Sequence, residues 1–369
     1  MVLPSTARRI IPAMFRDSEF MMLALKASER GAGFTEPNPM VGAVVVKNGR
    51  VLAVGHHAAC GKSHAERVAL EKIPEKGTTI YVTLEPCCHV GKTPPCTDVI
   101  IAKKVARVVV AMKDPNPLVS GKGIALLRRN GIDVRIGCEK DLAARLNRHY
   151  LKSMVSGFPY IAIRAGISLD GKMSDKSRRS RWITSPELRE RSRSLRGEFS
   201  AILAGSATVL ADDPQLTLRD PHWDGKRFFR VVLDTDNRLP NHLRLFQDQD
   251  RFPTIVFSSA SARDQTPKTG LHFFIPTTVG GLPLPDVCRI LFRMGIISIL
   301  VEGGEMVIDS FLKQELFDEV ILFVSPTLIG GRDSASIFSS GADRLEDALR
   351  LKNMETIVLP SGVIFRGFH

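Results

Sequence analysis

Apolar residues in the first 156 positions fall into short runs separated by polar turns, and their spacing alternates between strand and helix periods. Asn48-Gly49 separates two such runs and is a strong signal for a β-hairpin. The predicted strands cover 41–46, 51–55, 79–84, 107–112 and 132–136. The first predicted helix runs from a cap at Asp17 or Ser18 to Gly31, and the second begins at His64 after a cap at Ser63. Three further helices are predicted from Cys96 to about Lys104, over 121–130 and over 139–155. Strands that alternate with helices predict a layered α/β domain.

The same alternation resumes after Gly157-Phe158-Pro159, which we interpret as a domain boundary. Predicted strands cover 160–165, 201–204, 230–233, 254–257, 296–301 and 320–324, one predicted helix begins at a Thr184 or Ser185 cap, and another follows Gly303-Gly304. Residues 241–249 and 261–270 are polar and predict no regular element. We therefore expect an N-terminal extension at 1–16, a first domain at 17–156 and a second domain at 157–369.

Composition narrows the class of protein. The chain has 369 residues, of which 44% are hydrophobic, and this length is sufficient for two domains. No run approaches the roughly 18–20 apolar residues of a membrane span, and residues 1–16 lack the sustained apolar core of a secretory signal. Six cysteines, at least two of them needed as thiolates, indicate a reducing cytoplasm.

The formal net charge of +12 is unevenly distributed. Residues 172–196 contain nine Lys/Arg and three Asp/Glu, and this surplus of six positive charges is half of the net charge. Trp182 is the one aromatic residue among them. Nucleic-acid-binding proteins usually combine positive charge with aromatic residues on which bases stack. We therefore expect small phosphorylated ligands and no nucleic acid.

One histidine, two cysteines and a glutamate form the candidate chemistry of the first domain. His64 lies two residues before Glu66, and prolines precede Cys87 and Cys96. Zinc binds nitrogen and sulfur in a tetrahedral shell, and a catalytic site leaves the fourth position to water. We predict that this zinc activates a water, and that Glu66 takes its proton and passes it to a leaving amine. This chemistry is hydrolytic deamination.

The metal motif is a variant, and it leaves an alternative open. The nucleobase-deaminase signature is H-x-E followed by P-C-x-x-C, whereas here the second cysteine comes nine residues after the first. A structural zinc would normally close its shell with a fourth ligand, which Cys88 or His89 could supply, and the two cysteines could also simply be buried. Neither alternative explains why Glu66 follows the histidine so closely.

Gly303-Gly304, between an apolar strand and a helix, admits two interpretations. The glycines could let a phosphate approach the free amide groups at the helix start. They could equally form a tight turn that requires glycine backbone angles.

Taken together, the short motifs of the chain resemble those of the bifunctional deaminase/reductase family of riboflavin biosynthesis, from about Ser18 to the end. In the first half they are Pro37-Asn38-Pro39, His64-Ala65-Glu66, Thr83-Leu84-Glu85-Pro86-Cys87, Gly91-Lys92-Thr93-Pro94-Pro95-Cys96 and Asp114-Pro115-Asn116-Pro117. In the second half they are Ser168-Leu169-Asp170-Gly171, Trp182-Ile183-Thr184-Ser185-Pro186, Ala207-Thr208-Val209-Leu210-Ala211-Asp212-Asp213-Pro214 and Val301-Glu302-Gly303-Gly304. Their shared order makes the resemblance specific.

The resemblance implies an α/β fold with a cytidine-deaminase-like three-layer first domain and a dihydrofolate-reductase-like second domain. It implies that the first domain hydrolyses the 2-amino group of 2,5-diamino-6-(5-phosphoribosylamino)pyrimidin-4(3H)-one, and that the second uses NADPH to reduce the ribosyl chain, giving 5-amino-6-(5-phosphoribitylamino)uracil. The expected cofactors are Zn2+ and NADPH, and the expected partner is the phosphorylated pyrimidine. Family precedent also suggests a homo-oligomer.

The resemblance also implies roles for individual residues of the deaminase. His64, Cys87 and Cys96 match the zinc ligands and Glu66 the proton shuttle. Asn38, His57 and Lys92 match positions that line the deaminase pocket. Each of them also has a purely structural interpretation. Asn38 could form a turn, His57 could be a polar group at the end of a strand, and Lys92 could be a solvated charge in a loop.

For the reductase, Gly166, Trp182, Thr208, Asp212, Gly303 and Gly304 match cofactor contacts, and Ser180, Arg196, Leu216, Arg219 and Glu302 match substrate contacts. Arg196 and Arg219 could fork onto a sugar phosphate. Trp182 could offer a flat face to a ring, or it could be a core residue beside Ile183.

Two departures from the family pattern stand out. Cys88 occupies a position that is commonly serine, which adds a thiol beside the predicted metal. The run Arg178-Arg179-Ser180-Arg181 is unusually basic, and one of its arginines could bind the 2′-phosphate of NADPH or all could be solvated. Two other classes compete with the two-step enzyme: a nucleic-acid or nucleoside deaminase with a spare domain, and a binding protein with a structural zinc and an inactive catalytic centre. The second half of the chain and Glu66 argue against them.

Overall fold

The computed structural model describes residues 13–90, 94–177, 182–263 and 269–369. The chain divides into two compact units, with the division between Ser156 and Gly157. Within the described part of the chain, every helix is too short or too polar to cross a membrane.

The first unit is built around a five-stranded sheet with the strand order β2-β1-β3-β4-β5. Its elements are α1 (Ala13–Ser28), β1 (Gly42–Lys47), β2 (Arg50–His56), α2 (Ala65–Leu70), β3 (Thr79–Val82), α3 (Cys96–Ala102), β4 (Arg107–Val110), α4 (Lys122–Arg129), β5 (Asp133–Ile136), α5 (Lys140–Leu146) and α6 (Arg148–Ser156). β1 pairs antiparallel with β2 and β3, whereas β3, β4 and β5 are parallel. The parallel strands therefore end at one edge of the sheet.

Helices cover both faces of this sheet. Successive side chains of a strand point to opposite faces, so the apolar residues of these strands need a partner on each side. Val82 and Val110 belong to the core that also contains α2, α3 and α4. The neighbouring Tyr81 points to the opposite face, where its ring lies 5.2 Å from that of Phe20 on α1. The unit thus has three layers.

The predicted β1–β2 hairpin is confirmed. Asn48 and Gly49 have φ angles of 51° and 76°. Two consecutive positive φ angles are the backbone requirement of the tight turn that this dipeptide favours.

The predicted start of α1 is wrong. Among the described residues the helix begins at Ala13, so Asp17 and Ser18 lie inside it and cap nothing. The Asp17 carboxylate, 2% exposed, instead accepts hydrogen bonds from Tyr81 Oη, from two Arg107 nitrogens and from Arg135 Nη1 at 2.8–2.9 Å. These contacts join α1 to three strands.

Two other predicted helix boundaries differ from the structure. α2 begins at Ala65 with His64 at its N-cap position, so Ser63 lies one residue too early to cap it. The helix predicted over 139–155 is divided at Asn147, whose amide accepts from Met40 N at 2.7 Å and donates to Met40 O at 2.9 Å. A long-range contact therefore interrupts the pattern.

The second unit contains a nine-stranded sheet with the order β10-β9-β8-β7-β11-β6-β12-β14-β13. Its elements are β6 (Tyr160–Ser168), α7 (Pro186–Ser194), β7 (Ala201–Gly205), α8 (Ser206–Asp212), β8 (Phe229–Leu233), β9 (Thr254–Ser259), β10 (Leu271–Ile275), α9 (Leu284–Arg293), β11 (Ser298–Gly303), α10 (Glu305–Lys313), β12 (Glu319–Ser325), β13 (Lys352–Leu359) and β14 (Gly362–Phe368). The first seven strands of this order, from β10 to β12, are parallel to one another. β14 pairs antiparallel with β12, and β13 pairs antiparallel with β14.

The six predicted strands of this unit and both predicted helix starts are present. Ser185, rather than Thr184, caps α7 by accepting from Leu188 N at 3.1 Å. α8, β10, α9 and the β13–β14 hairpin were not predicted. α9 buries Leu284, Val287 and Leu291 at helical spacing, so its pattern was available in the sequence.

We expect Asp17→Asn to lower the free energy of unfolding of the first unit by about 3 kcal/mol, because it leaves Arg107 and Arg135 beside a buried neutral group. Hydrogen–deuterium exchange of β3, β4 and β5 would measure this loss. The control is Asp133→Asn, since Asp133 is exposed and pairs with Arg107 Nε at 3.3 Å. It should cost less than about 1 kcal/mol, and equal losses in the two variants would contradict the account.

Candidate zinc centre and reductase site

The three predicted zinc ligands come together at the edge of the first sheet. His64 is the N-cap of α2, Cys87 lies in the loop after β3, and Cys96 is the first residue of α3. Their ligand atoms all lie within 4.8 Å of one another. His64 Nδ1 is 3.2 Å from Cys96 Sγ and 3.5 Å from Cys87 Sγ.

This donor set fits a zinc ion. With bond lengths of about 2.3 Å to sulfur and about 2.0 Å to nitrogen, a tetrahedral shell separates a nitrogen from a sulfur by about 3.5 Å. Within the described residues the cluster has these three members, and neither Cys88 nor His89 belongs to it. The arrangement therefore favours a site with an open fourth position over a closed structural site.

Glu66 is buried beside this cluster, with 3% of its surface exposed. Burial, followed by the charge of Cys87, raises the pKa of the Glu66 carboxyl to about 7. The hydrogen bond from Cys96, against the effect of burial, lowers the pKa of the Cys87 thiol. The cluster thus combines a ready thiolate with a carboxyl group that can both accept and release a proton near neutral pH.

The structure places one of the three predicted pocket residues, His57, beside the cluster. His57 is 2% exposed, its Nδ1 lies 3.2 Å from Ser63 O, and its ring lies 5.3 Å from that of His64. His57 Nε2 is buried without a hydrogen-bond partner in the described part of the chain. Asn38 Nδ2 lies 3.8 Å from Cys60 Sγ. Lys92 lies outside the described residues.

In the second unit, most of the predicted cofactor residues lie at or near the ends of the neighbouring parallel strands β6, β7 and β11. Gly303 and Gly304, with φ angles of 147° and 46°, form the turn between β11 and α10. A Cβ on Gly304 would lie 2.9 Å from Thr208 Oγ1 on α8. A Cβ on Gly166 would lie 3.1 Å from the Thr184 methyl group. The turn therefore requires glycine backbone angles. It also brings the starts of α8 and α10 together.

Arg196 and Glu302, two predicted substrate contacts of the reductase, pair with each other. Arg196 Nε and Nη2 donate to the two carboxylate oxygens of Glu302 at 2.8 and 2.7 Å, and its Nη1 donates to Thr217 O at 3.1 Å. Because a buried carboxylate needs an opposite charge, Arg196 stabilises Glu302. The predicted contact of Arg196 with the substrate stays a prediction.

Arg164 is a site residue that the predictions omit. Its Nη1 lies 3.4 Å from Glu302 Oε2, the oxygen that also accepts from Arg196 Nη2. Burial by itself raises the pKa of the Glu302 carboxyl, but Arg196 and Arg164 outweigh this effect and lower it. A charged residue in the middle of the apolar run of β6 was the available signal, since buried charges are rare without a partner.

Trp182 is 69% exposed, so the alternative of a core residue is wrong. The Arg189 guanidinium lies over its ring at 4.3 Å. Leu216 is buried in the core with a φ angle of 52°, and Asp212 is the last residue of α8. Ser180 and the run 178–181 lie outside the described residues.

Arg219 is exposed and has no ion-pair partner among the residues that the structure describes. It lines a cleft of about 750 Å³ whose other charged residues are Glu187, Glu190, Arg191, Arg193 and Asp220. Among the described residues, Arg219 is therefore the more exposed of the two predicted phosphate-binding arginines.

Two family models match the chain. Residues 14–112 match the cytidine and deoxycytidylate deaminase zinc-binding region, and residues 159–365, more than half of the chain, match the RibD C-terminal domain. The chain belongs to the RibD family. RibD proteins are bifunctional deaminase/reductases of riboflavin biosynthesis, and this enzyme combines a zinc-binding deaminase domain with a reductase domain.

Relatives of known sequence and structure agree with this assignment. The chain is 40% identical to riboflavin biosynthesis protein RibD of Escherichia coli, over 92% of this chain and 96% of that one. It is 39% identical to RibD of Aquifex aeolicus, over 91% and 94% of the two chains. RibD of Acinetobacter baumannii superposes with a TM-score of 0.87 at 35% identity, over 96% of this chain and 99% of that one.

A further relative is the Thermotoga maritima diaminohydroxyphosphoribosylaminopyrimidine deaminase/5-amino-6-(5-phosphoribosylamino)uracil reductase. Its structure superposes with a TM-score of 0.86 at 34% identity, over 96% of this chain and 99% of that one. The predicted α/β class, the cytidine-deaminase-like first domain, the family and the enzyme class are confirmed. The roles of individual site residues remain predictions.

We expect Glu302→Gln to lower the free energy of unfolding of the second unit by about 3–5 kcal/mol, because Arg164 and Arg196 would share a buried neutral partner. Both tryptophans, Trp182 and Trp223, lie in this unit, so a urea titration followed by tryptophan fluorescence measures it separately.

The control is Asp224→Asn, which breaks an exposed ion pair with Arg251. We expect it to change the stability by less than about 1 kcal/mol. If Glu302→Gln were as mild as this control, the carboxylate would not be the counter-charge of the two arginines.

Proposed function

We propose that this RibD enzyme catalyses two successive reactions on a phosphorylated pyrimidine. The first is hydrolytic deamination of 2,5-diamino-6-(5-phosphoribosylamino)pyrimidin-4(3H)-one. The second is NADPH-dependent reduction of the ribosyl chain, which gives 5-amino-6-(5-phosphoribitylamino)uracil. The observation that carries the proposal is the convergence of His64, Cys87 and Cys96 beside the buried Glu66.

In the deaminase domain, proposed to span 17–156, His64, Cys87 and Cys96 would hold a zinc ion. When bound, zinc acts as a Lewis acid that activates a water for attack on C2. The reaction replaces the C2–N bond with a C2–O bond and releases ammonia, so a proton must move from water to the leaving nitrogen. Glu66 would carry this proton, because it is a buried carboxyl group within hydrogen-bond reach of the ligand Cys96.

Asn38, His57 and Lys92 are proposed to line the deaminase pocket. For His57 the support is its buried Nε2, which has no partner among the described residues. A buried polar atom of this kind costs free energy unless a ligand satisfies it. For Asn38 and Lys92 the support is the family pattern.

In the reductase domain, proposed to span 157–369, NADPH would contact Gly166, Trp182, Thr208, Asp212, Gly303 and Gly304. NADPH supplies the hydride for the reduction. The glycine turn after β11 lets a phosphate approach the start of α10 without a Cβ in the way. One of Arg178, Arg179 and Arg181 remains a candidate for the 2′-phosphate.

The reductase substrate would contact Ser180, Arg196, Leu216, Arg219 and Glu302, and Arg196 also binds Glu302. Arg219 is the proposed phosphate ligand, because its guanidinium is exposed in the cleft that it shares with Arg193. We also propose that the enzyme is a cytoplasmic homo-oligomer that binds no nucleic acid. The uneven distribution of its positive charge supports the last point.

The proposal is tested by incubating the enzyme with the diaminopyrimidine phosphate, with and without NADPH, and following ammonia and NADPH separately. We expect ammonia release in both mixtures. NADPH oxidation should begin only once deaminated product has accumulated. NADPH loss without prior ammonia release would contradict the order of the two reactions.

Glu66→Gln is the matched variant for this assay. We expect it to retain zinc, since the three ligands are intact, and to lose ammonia release by about 100-fold or more. It should still oxidise NADPH when given the deaminated intermediate. Loss of zinc along with activity would mean that Glu66 supports the metal and is not the proton carrier.

A further inference from the structure

Glu85 is a buried carboxylate that the mechanism above does not use. It lies two residues before Cys87 and is 4% exposed. Its Oε2 accepts from Gly121 N at 2.9 Å and from Asp114 N at 3.4 Å, and its Oε1 accepts from Ile124 N at 3.2 Å. Glu85 therefore joins the Cys87 loop to the start of α4 and to the loop before it.

A second contact at the same place involves no side chain. A Cβ on Gly123 would lie 2.1 Å from Pro86 O, which no real side chain could tolerate. The first turn of α4 therefore rests directly on the peptide that precedes Cys87. The hydrogen bonds of Glu85 and the close backbone contact at Gly123 thus join the loop to α4 at two adjacent points.

The loop on the other side of this contact is itself fixed. Asp114 Oδ1 accepts from Asn116 N at 2.9 Å and from Tyr150 Oη at 2.9 Å. The Asp114-Pro115-Asn116-Pro117 motif thus presents the Asp114 amide to Glu85. This gives a structural reason for a motif to which the catalytic proposal assigns no role.

Cys87 comes directly after this supported stretch of backbone. Its Sγ accepts from Cys96 N at 3.3 Å and lies 3.5 Å from His64 Nδ1, and its carbonyl accepts from Thr97 N at 3.2 Å. A shift of about an ångström would move the sulfur out of zinc-binding range, because the tolerance of metal–ligand distances is about 0.2 Å. Groups behind the ligands commonly set such positions.

We propose that Glu85 and Gly123 are positioning residues for the deaminase: they fix the Cys87 loop against α4 and so keep the Cys87 sulfur within reach of the metal. The inference rests on the proposed zinc site at His64, Cys87 and Cys96. Glu85 acts through the backbone, and within the described residues it is not a member of the ligand cluster.

The test uses the full-length enzyme loaded with Co2+, whose visible and thiolate charge-transfer absorption reports the ligand geometry. Glu85→Gln replaces one acceptor oxygen with an NH2 group that faces backbone N–H donors. Gly123→Ala pushes the same loop from the other side. We expect each variant to bind Co2+ and Zn2+ about 10–100-fold more weakly and to show a shifted thiolate band.

Gly123→Ala separates positioning from simple helix stability, because alanine is the better helix former. If Glu85 and Gly123 served only the helix, Gly123→Ala would leave the metal spectrum and affinity unchanged. The matched control is Gly131→Ala, just past the other end of α4. Gly131 has a φ angle of 76° with no atom near its Cβ position, so alanine strains the same region without touching the Cys87 loop.

The inference is supported if Glu85→Gln and Gly123→Ala change the cobalt spectrum while Gly131→Ala keeps the wild-type spectrum and an affinity within about twofold. It is overturned if both test variants bind metal as the wild type does, or if Gly131→Ala loses as much. Failure of the wild type itself to show thiolate–cobalt absorption would overturn the proposed zinc site, and the inference with it.

Discussion

Three ligand atoms that come from distant points of the chain must lie within 4.8 Å of one another, and the first unit depends on this constraint. His64 is fixed by the start of α2, Cys96 by the start of α3, and Cys87 by a loop that leaves β3. Because β3 and β4 are parallel, the loops that follow them meet at one edge of the sheet. The core of the unit therefore keeps the three backbone segments that carry the ligands at fixed positions relative to one another.

A similar requirement acts in the second unit, where a buried carboxylate lies between two guanidinium groups. Glu302 ends the apolar part of β11, Arg164 lies on the adjacent strand β6, and Arg196 comes from the turn after α7. Taking these charges out of water is unfavourable unless they are paired. Their pairing beside Gly303-Gly304 leaves a charged, ordered edge where the sheet meets its proposed ligands.

Local chemistry explains which parts of the fold the sequence predicts. The Asn48-Gly49 hairpin, the Ser185 cap and the helix that starts at Cys96 depend on neighbours within a few residues, and all three are present. The metal-binding motif is equally local in its H-x-E part. The order of the motif, a glutamate two residues after the histidine and two cysteines that follow prolines, therefore predicts a zinc-activated water.

The failures have the opposite character. Asp17 looks like a helix cap but binds Arg107 and Arg135, which are 90 and 118 residues away in the chain. Arg164, which the predictions omit, binds Glu302 on the neighbouring strand. A local pattern cannot show such partners, since the fold must first bring them together. Lys92 and Ser180 lie outside the described residues, so their predicted roles rest on the family pattern.

The central claim concerns the atoms around one metal ion, and X-ray absorption at the zinc edge of the purified enzyme tests it most directly. We expect a shell of two sulfurs at about 2.3 Å, with one imidazole nitrogen and one further light atom at about 2.0 Å. A shell with three or more sulfurs, or one without sulfur, would contradict the assignment of His64, Cys87 and Cys96 as the ligands of an open catalytic site.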